Sequence, residues 1–223
     1  MMMRSPVQPV FENSAGSIPF AFREQFLLSP EDPHEILLHG EMQLIWHPAA
    51  LRPLFWILGK FRMLVPIRAR QVPTTLHVIP GRTADGAPFH EWNRTFSLAR
   101  PVRFNTTIVW DRHHNNLADL VGTPRLLRMV WAARYMPPDT FTLDSIANAL
   151  TIGPWTLWLP RWLWRCLLGS VEFRQVASRE DENQVSVDLR IVHPVLRTVF
   201  RYHGVFRTRR VPRSVSIAPV VSA

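Results

Sequence analysis

The sequence predicts a mainly β protein, built as a single antiparallel, strongly curved sheet or barrel with two or three short helices. In most segments between about residues 35 and 208, apolar residues recur at every second position, which is the pattern of a strand that buries one face. Clusters of Pro, Gly, Asp and Asn separate these segments and are typical of turns. Only three stretches favour helix, at 20–28, 49–62 and 158–168. Many strands with one apolar face bury it best in a closed or double-layered sheet.

The first strand is predicted over residues 35–47, where Ile36 and Met42 share the apolar phase and Glu41 lies in the polar phase. Gly40 also falls in the apolar phase, which indicates a bend or the close approach of another group. Further strands are predicted over 69–79, 88–98, 103–111, 125–135, 139–152, 170–178, 184–193 and 198–208. We expect one domain over 20–208, with flexible tails over 1–19 and 209–223.

The composition excludes several classes of protein. The chain carries 26 Lys and Arg against 17 Asp and Glu, but Lys60 is its only lysine and the arginines are spread along the chain. Nucleic-acid sites concentrate basic residues on one face, so nucleic acid is not the favoured partner. A single cysteine excludes an internal disulfide and a cysteine-based zinc site. We predict no metal, and no secretory signal or membrane-spanning helix, and expect a protein of the cytoplasm, either free or peripheral on the inner membrane.

The order of several motifs is distinctive. A strand ending near His39-Gly40 leads into an apolar, arginine-bearing helix and Leu64-Val65-Pro66, and later come Glu-Trp-Asn-Arg-Thr-Phe at 91–96, Leu-Pro-Arg-Trp-Leu at 159–163 and Tyr-His-Gly at 202–204. This order resembles the bacterial "domain of unknown function 4166" family over roughly residues 20–208, most specifically at Trp-x-Arg-x-Phe. Relatives often follow a saccharopine-dehydrogenase-like NAD-binding domain. The resemblance implies an independent domain and brings no established activity. No Gly-x-Gly-x-x-Gly is present, so no dinucleotide cofactor is expected.

Arg94 is the most informative candidate for a ligand-binding residue. It lies in the apolar phase of its strand with Trp92 and Phe96, whereas most strand arginines lie in the polar phase. An inward arginine needs a partner, because an unpaired buried charge is costly. That partner is either an internal carboxylate or the acidic head of a ligand. The predicted ligand-binding set consists of these three residues and a fourth, Tyr202, which is an inward residue of the last strand.

Two segments, Leu51–Leu64 and Trp155–Leu168, are too apolar for ordinary loops and too short to span a bilayer. Two interpretations are open: a buried plug with snorkelling arginines, or a rim that contacts lipid or covers an apolar ligand. We expect both segments at one end of the barrel, as one partly exposed apolar surface edged by cations. The predicted membrane-interface residues are Trp155, Trp158, Trp162, Trp164, Arg161, Arg165, Phe55 and Trp56.

These features favour a non-enzymatic module that binds a lipid or other apolar or amphipathic small molecule, at an anionic membrane surface or free of it. No catalytic residue and no cofactor are predicted. One alternative is a small acid–base enzyme on the same scaffold, with His39, Glu41 or Glu91 as the acid and base. The other is a structural or partner-binding domain.

Overall fold

The computed structural model describes residues 4–12, 18–152 and 155–213. Strands make up 56% of the described residues. They are β1 His34–Trp46, β2 Ala69–Arg82, β3 Pro88–Phe96, β4 Val102–Asp111, β5 Asn116–Val121, β6 Leu127–Met136, β7 Thr140–Ile152, β8 Trp155–Leu159, β9 Ser170–Ala177, β10 Gln184–His193 and β11 Arg197–Pro212. The helices are α1 Gln8–Phe11, α2 Phe20–Phe26, α3 Arg52–Lys60 and α4 Arg161–Leu167, and a 3₁₀ turn at Ala49–Leu51 precedes α3.

Ten of the strands close into an antiparallel barrel, which confirms the predicted fold class. Each strand from β1 to β7 pairs with the next, and β9, β10, β11 and β1 complete the circle. β7 is long enough to use two partners on one side. Its first half pairs with β9 and its second half with β8. β8 is therefore an additional strand that lengthens the wall beside α4.

The structure contains two strands that the sequence analysis missed. β5 has only six residues between strong turn signals, too few for an alternation to predict a strand. β8 occupies residues that were partly assigned to a helix, and α4 begins only at Arg161. Elements also continue outside 20–208: Phe11 of α1 is buried, and β11 runs on to Pro212, which pairs opposite His34.

Gly40 marks a close approach between β1 and β11, as its position in the apolar phase predicts. A Cβ atom there would lie 2.0 Å from the carbonyl oxygen of Val205. The β1–β11 register then shifts between Met42 and Leu44. Because one extra residue reverses the side-chain alternation, Ile45 is the buried residue in the last part of β1.

The N-terminal helices close one end of the barrel. Aromatic rings from α1 and α2 pack against the inner wall, and the Phe26 and Phe141 ring centroids lie 4.5 Å apart. The Gln175 amide donates to Gln25 Oε1 at 2.6 Å, and His90 Nε2 lies 2.8 Å from the Leu28 carbonyl oxygen. Buried aromatic packing and these two hydrogen bonds stabilise this closed end.

The two apolar segments lie together at the opposite end, as expected from the sequence. α3 lies in the connection from β1 to β2, and the carbonyl of Phe61 just after it accepts a hydrogen bond from Thr123 N in the β5–β6 turn at 2.9 Å. α4 connects β8 to β9, and the carbonyl of Cys166 lies 2.8 Å from His193 Nε2 at the end of β10. We call this the α3–α4 end. Within the described residues, the helices are too short to span a bilayer.

Candidate functional site

A cavity of about 150 Å³ lies inside the barrel beneath α3 and α4. Its wall is almost entirely apolar. The wall combines helix residues such as Leu51, Phe55 and Trp164 with inward strand residues such as Met129 and Phe173. Three further lining residues are also exposed at the surface: Leu54, Leu167 and Leu196. The cavity therefore reaches from the α3–α4 end into the barrel interior.

Arg94 projects into this cavity from β3 and is 8% exposed. Its guanidinium donates one hydrogen bond, to Thr106 Oγ1 at 3.3 Å, and its Cζ lies 5.1 Å from the ring centroids of both Trp92 and Phe104. Among the described residues no carboxylate oxygen lies within 4.0 Å of it. A guanidinium has five N–H donors, so most of its hydrogen-bonding capacity is unused. The simple internal ion pair considered for Arg94 is therefore not formed.

Asp119 is the residue that the sequence analysis missed. It lies on β5, lines the same cavity and interacts with the charge of Arg94. Burial raises the pKa of Asp119 from 3.8 to about 7, although the charge of Arg94 and the Thr106 hydroxyl both favour the ionised form. Its Oδ1 atom is buried and has no hydrogen-bond partner among the residues that the structure describes. The site thus holds a carboxyl group that is partly protonated near neutral pH.

Other polar atoms border the same part of the cavity. The buried indole N–H groups of Trp92 and Trp131 have no acceptor within the described part of the chain. Tyr202 lines the cavity from β11, and burial raises its pKa, with an opposing effect of Arg94. On the far side of Arg94 a second cavity of about 20 Å³ reaches towards Gln25 and Gln175, enough for about one water molecule. Several residues with hydrogen-bond donors, namely Trp92, Arg94, Trp131 and Tyr202, therefore line an otherwise apolar cavity.

The predicted ligand-binding set is only partly gathered at the cavity. Trp92, Arg94 and Tyr202 line it. Phe96 is fully buried in the core and does not line it. The signal that could have identified Asp119 was the same one that identified Arg94, a charged residue between apolar residues at spacing two, here Leu117 and Val121.

The predicted interface residues divide into two groups. Phe55 and Trp164 are buried in the cavity wall, so these two are not available to a membrane. The exposed aromatic residues are Trp56, Trp155, Trp158 and Trp162, of which Trp155 is 77% and Trp162 68% exposed. Arg161 and Arg165 are exposed as well. The tryptophan run is therefore divided: Trp164 is buried in the cavity wall, and Trp155, Trp158 and Trp162 are exposed at the surface.

The α3–α4 end has an unusual distribution of charge. The segments that form it are 47–68, 97–101, 122–126, 155–169 and 193–197, and none contains Asp or Glu. Its exposed basic residues are Arg52, Lys60, Arg62, Arg68, Arg100, Arg161, Arg165 and Arg197. Within the described residues, ion pairs of the barrel wall and the closed end involve other arginines, such as Arg128 with Asp111 and Arg210 with Glu24. The segments of this end are thus apolar and cationic and contribute no acidic side chain. Two acidic residues of neighbouring strands lie close to it: Glu91 interacts with the charge of the half-buried Arg125, and Asp111 pairs with His114, whose ring centroid lies 4.8 Å from that of Trp158.

The residues of the acid–base alternative do not come together. His39 and Glu41 are exposed on the outer face of β1. Opposite them on β2 lie Thr75 and Pro73, whereas Glu91 of β3 pairs opposite Ile79. Residues rise about 3.3 Å each along a strand, so Glu91 is four positions, about 13 Å, from the level of His39.

Comparison with known proteins agrees with the resemblance seen in the sequence. The chain is 28% identical over 151 residues to a protein of Bacillus subtilis (strain 168) described as "Uncharacterized protein YndH", covering 66% of this chain and 70% of that protein. No solved structure matches. The sequence profile of the family described as "Domain of unknown function (DUF4166)" matches residues 18–206. Since this match spans most of the chain, the protein belongs to the DUF4166 family.

Proposed function

We propose that the barrel binds an apolar or amphipathic small molecule in the cavity beneath α3 and α4. The observation that carries this proposal is a buried Arg94 facing an apolar cavity with most of its donors unused. Buried polar groups are normally satisfied, and ligand sites are mostly apolar concavities with a few convergent polar groups. A ligand that presents an acceptor to Arg94 and an apolar body to the wall meets both conditions.

The dimensions of the cavity suit one chain or one small ring system. An apolar protein cavity of about 150 Å³ holds a benzene-sized ligand. A longer chain would continue outward between the exposed leucines of the α3–α4 end, Leu54, Leu167 and Leu196. The surface there is already apolar, so the protruding part of the chain would stay in contact with protein or with lipid.

Titration with the neutral dye N-phenyl-1-naphthylamine, whose fluorescence rises in apolar surroundings, tests the binding. Its phenyl ring matches the size of the cavity, and its naphthyl group would extend outward between the exposed leucines of the α3–α4 end. Val171 lines the cavity from β9, and Val176 on the same strand lies outside it and is half-buried. We expect saturable fluorescence with the unmodified protein, loss of most of it with Val171→Phe, and full retention with Val176→Phe. Equal titration curves for the two variants, or no saturable signal with the unmodified protein, would refute binding in this cavity.

We further propose that the α3–α4 end rests on an anionic membrane surface, from which the ligand would be taken up. Exposed tryptophans favour the boundary between water and lipid. The segments of this end contribute no acidic residue to neutralise the exposed cations around them. Apolar burial and attraction to anionic lipid act together in such interfacial binding, with about 1 kcal/mol from each basic residue near the surface.

Co-sedimentation with phosphatidylcholine vesicles, with and without phosphatidylglycerol, tests the membrane contact. Exchange of Lys60 and Arg161 for glutamine should weaken binding to the anionic vesicles by roughly 30-fold, at about 1 kcal/mol for each cation. Exchange of Arg134 and Arg174, which are exposed on the barrel wall, alters the net charge equally and should change binding little. Trp158→Ser with Trp162→Ser should also weaken it. Equal binding of all variants to the anionic vesicles, or no binding of the unmodified protein, would refute the proposed contact with a membrane.

A further inference from the structure

The inner end of the cavity combines a fixed cation with a carboxyl group, and this pairing selects the head group of the ligand. Arg94 from β3 and Asp119 from β5 face the same space, with Thr106 from β4 between their strands. Among the described residues, the groups whose charges interact with Asp119 are Arg94 and Tyr202, and His193, at the end of β10, is a third titratable residue that lines the cavity. Of the two groups that interact with Asp119, Arg94 alone is charged at neutral pH, because Tyr202 is neutral there.

We propose that the ligand is a single-chain carboxylic acid, bound head inward with its carboxylate on Arg94, and that Asp119 holds a proton when the ligand is bound. The inference rests on the proposed function and specifies the class of ligand. Arginine presents a planar fork that matches a carboxylate with two parallel N–H···O bonds. A protonated Asp119 supplies an O–H donor to the same head group, whereas an ionised Asp119 would repel it.

Charge balance supports one negative charge on the ligand. With Asp119 neutral, the cavity interior contains one unpaired positive charge, that of Arg94, and a carboxylate neutralises it. A phosphate dianion would leave an excess negative charge inside an apolar wall, which is costly. A neutral alcohol would leave the guanidinium without a counter-ion. The apolar wall and the narrow cavity accept one alkyl chain.

Proton uptake makes binding depend on pH with a defined sign. Burial raises the pKa of Asp119 to about 7 in the absence of ligand. Below that pH most molecules hold the proton and can bind the carboxylate. Above it the competent fraction falls, and the apparent affinity falls with it. From pH 6.5 to pH 8.5 the competent fraction falls by roughly 20-fold, so the dissociation constant rises by the same factor.

Isothermal titration calorimetry with octanoate, 1-octanol and octyl phosphate tests the inference. At pH 6.5 the unmodified protein should bind octanoate at least about tenfold more tightly than octanol, because a charge-assisted hydrogen bond in an apolar site is stronger than a neutral one. It should also bind octanoate more tightly than octyl phosphate, because the second negative charge of the phosphate would be buried without a partner. Arg94→Met should lose this preference and still bind octanol, which shows that the cavity is intact. Asp119→Asn should bind octanoate equally at pH 6.5 and 8.5, whereas the unmodified protein should weaken by roughly 20-fold.

The outcomes separate the two proposals. If octanol binds and octanoate binds no better, the carboxylate inference is wrong and ligand binding in the cavity stands. Tighter binding of octyl phosphate would also overturn it. If Asp119→Asn and the unmodified protein show the same pH dependence, Asp119 does not hold the proton. Failure of all three probes and of the neutral dye would contradict the proposed function itself.

Discussion

Replacement of Asp119 by asparagine should remove a large pH dependence from the stability of the barrel. Burial raises the pKa of Asp119 to about 7 in the folded protein, against 3.8 for an exposed aspartate. The folded state therefore holds this proton more tightly than the unfolded state. As pH rises from 3.8 to 7 the unfolded state releases the proton first, and stability falls. At pH 7 the folded state is half ionised at Asp119, and about one pH unit higher both states are ionised and the loss is complete.

The size of the effect follows from the same two values. Between pH 5 and pH 7 the unfolded state is largely ionised at this position and the folded state is largely protonated. The slope is then about 1.4 kcal/mol per pH unit, or about 2.5 kcal/mol over the interval. Asparagine has nearly the same shape and does not titrate.

Urea unfolding of both proteins at several values between pH 5 and pH 8 measures this effect. The difference between the two free energies of unfolding isolates Asp119, because every other group titrates in both proteins. Relative to the unmodified protein, the free energy of unfolding of Asp119→Asn should gain about 2.5 kcal/mol between pH 5 and pH 7 and less than about 0.5 kcal/mol more above pH 7. Parallel stability curves would show that Asp119 ionises normally and would refute the reasoning from burial.

Two further predictions concern the fold around the site. Gly40→Ala should lower the free energy of unfolding, measured in urea, by about 3 kcal/mol, because the new Cβ would lie 2.0 Å from the Val205 carbonyl oxygen. The control Gly86→Ala, at φ +81 with open space around it, should lower the free energy of unfolding by only about 1 kcal/mol. Equal losses for the two variants would contradict the close approach of β1 and β11 at Gly40. Trp164→Ala should lower the free energy of unfolding by about 3–5 kcal/mol, since the indole is 3% exposed and its N–H donates to the side-chain amide oxygen of Asn148 at 2.7 Å. Trp162→Ala, at an exposed position, should change the free energy of unfolding by less than about 0.5 kcal/mol. Similar effects of the two variants would contradict the burial of Trp164 beside an exposed Trp162.

The fold was predictable because local pattern and global architecture agree along most of the chain. β10 illustrates this: the alternation of Val185, Val187 and Ile191 with polar residues gave its bounds as observed. The prediction failed where an element was too short for a period to be recognised. β5 offers six residues, and its inward Asp119 interrupts the apolar phase. β8 is mostly exposed, and its sequence Trp-Thr-Leu-Trp-Leu is as compatible with a helix as with a strand.

Of the candidate site, the sequence could predict only which side chains of one strand point to the same face. Arg94 was identifiable because one strand contains both the charge and its apolar neighbours Trp92 and Phe96. Its relation to Asp119 depends on the closure of β3, β4 and β5 into one wall, which a period of two does not specify. Similarly, the burial of Trp164 beside the exposed Trp162 depends on where α4 begins and which face it turns to the barrel.

A crystal structure of the protein with octanoic acid at saturating concentration would show whether the ligand binds inside the barrel. We expect the alkyl chain to lie beneath α3 and α4, between Trp164 and Met129, with the carboxylate hydrogen-bonded to Arg94. Octanoate found only on the outer surface, with the cavity beneath α3 and α4 still empty, would contradict the claim that this barrel binds its ligand inside.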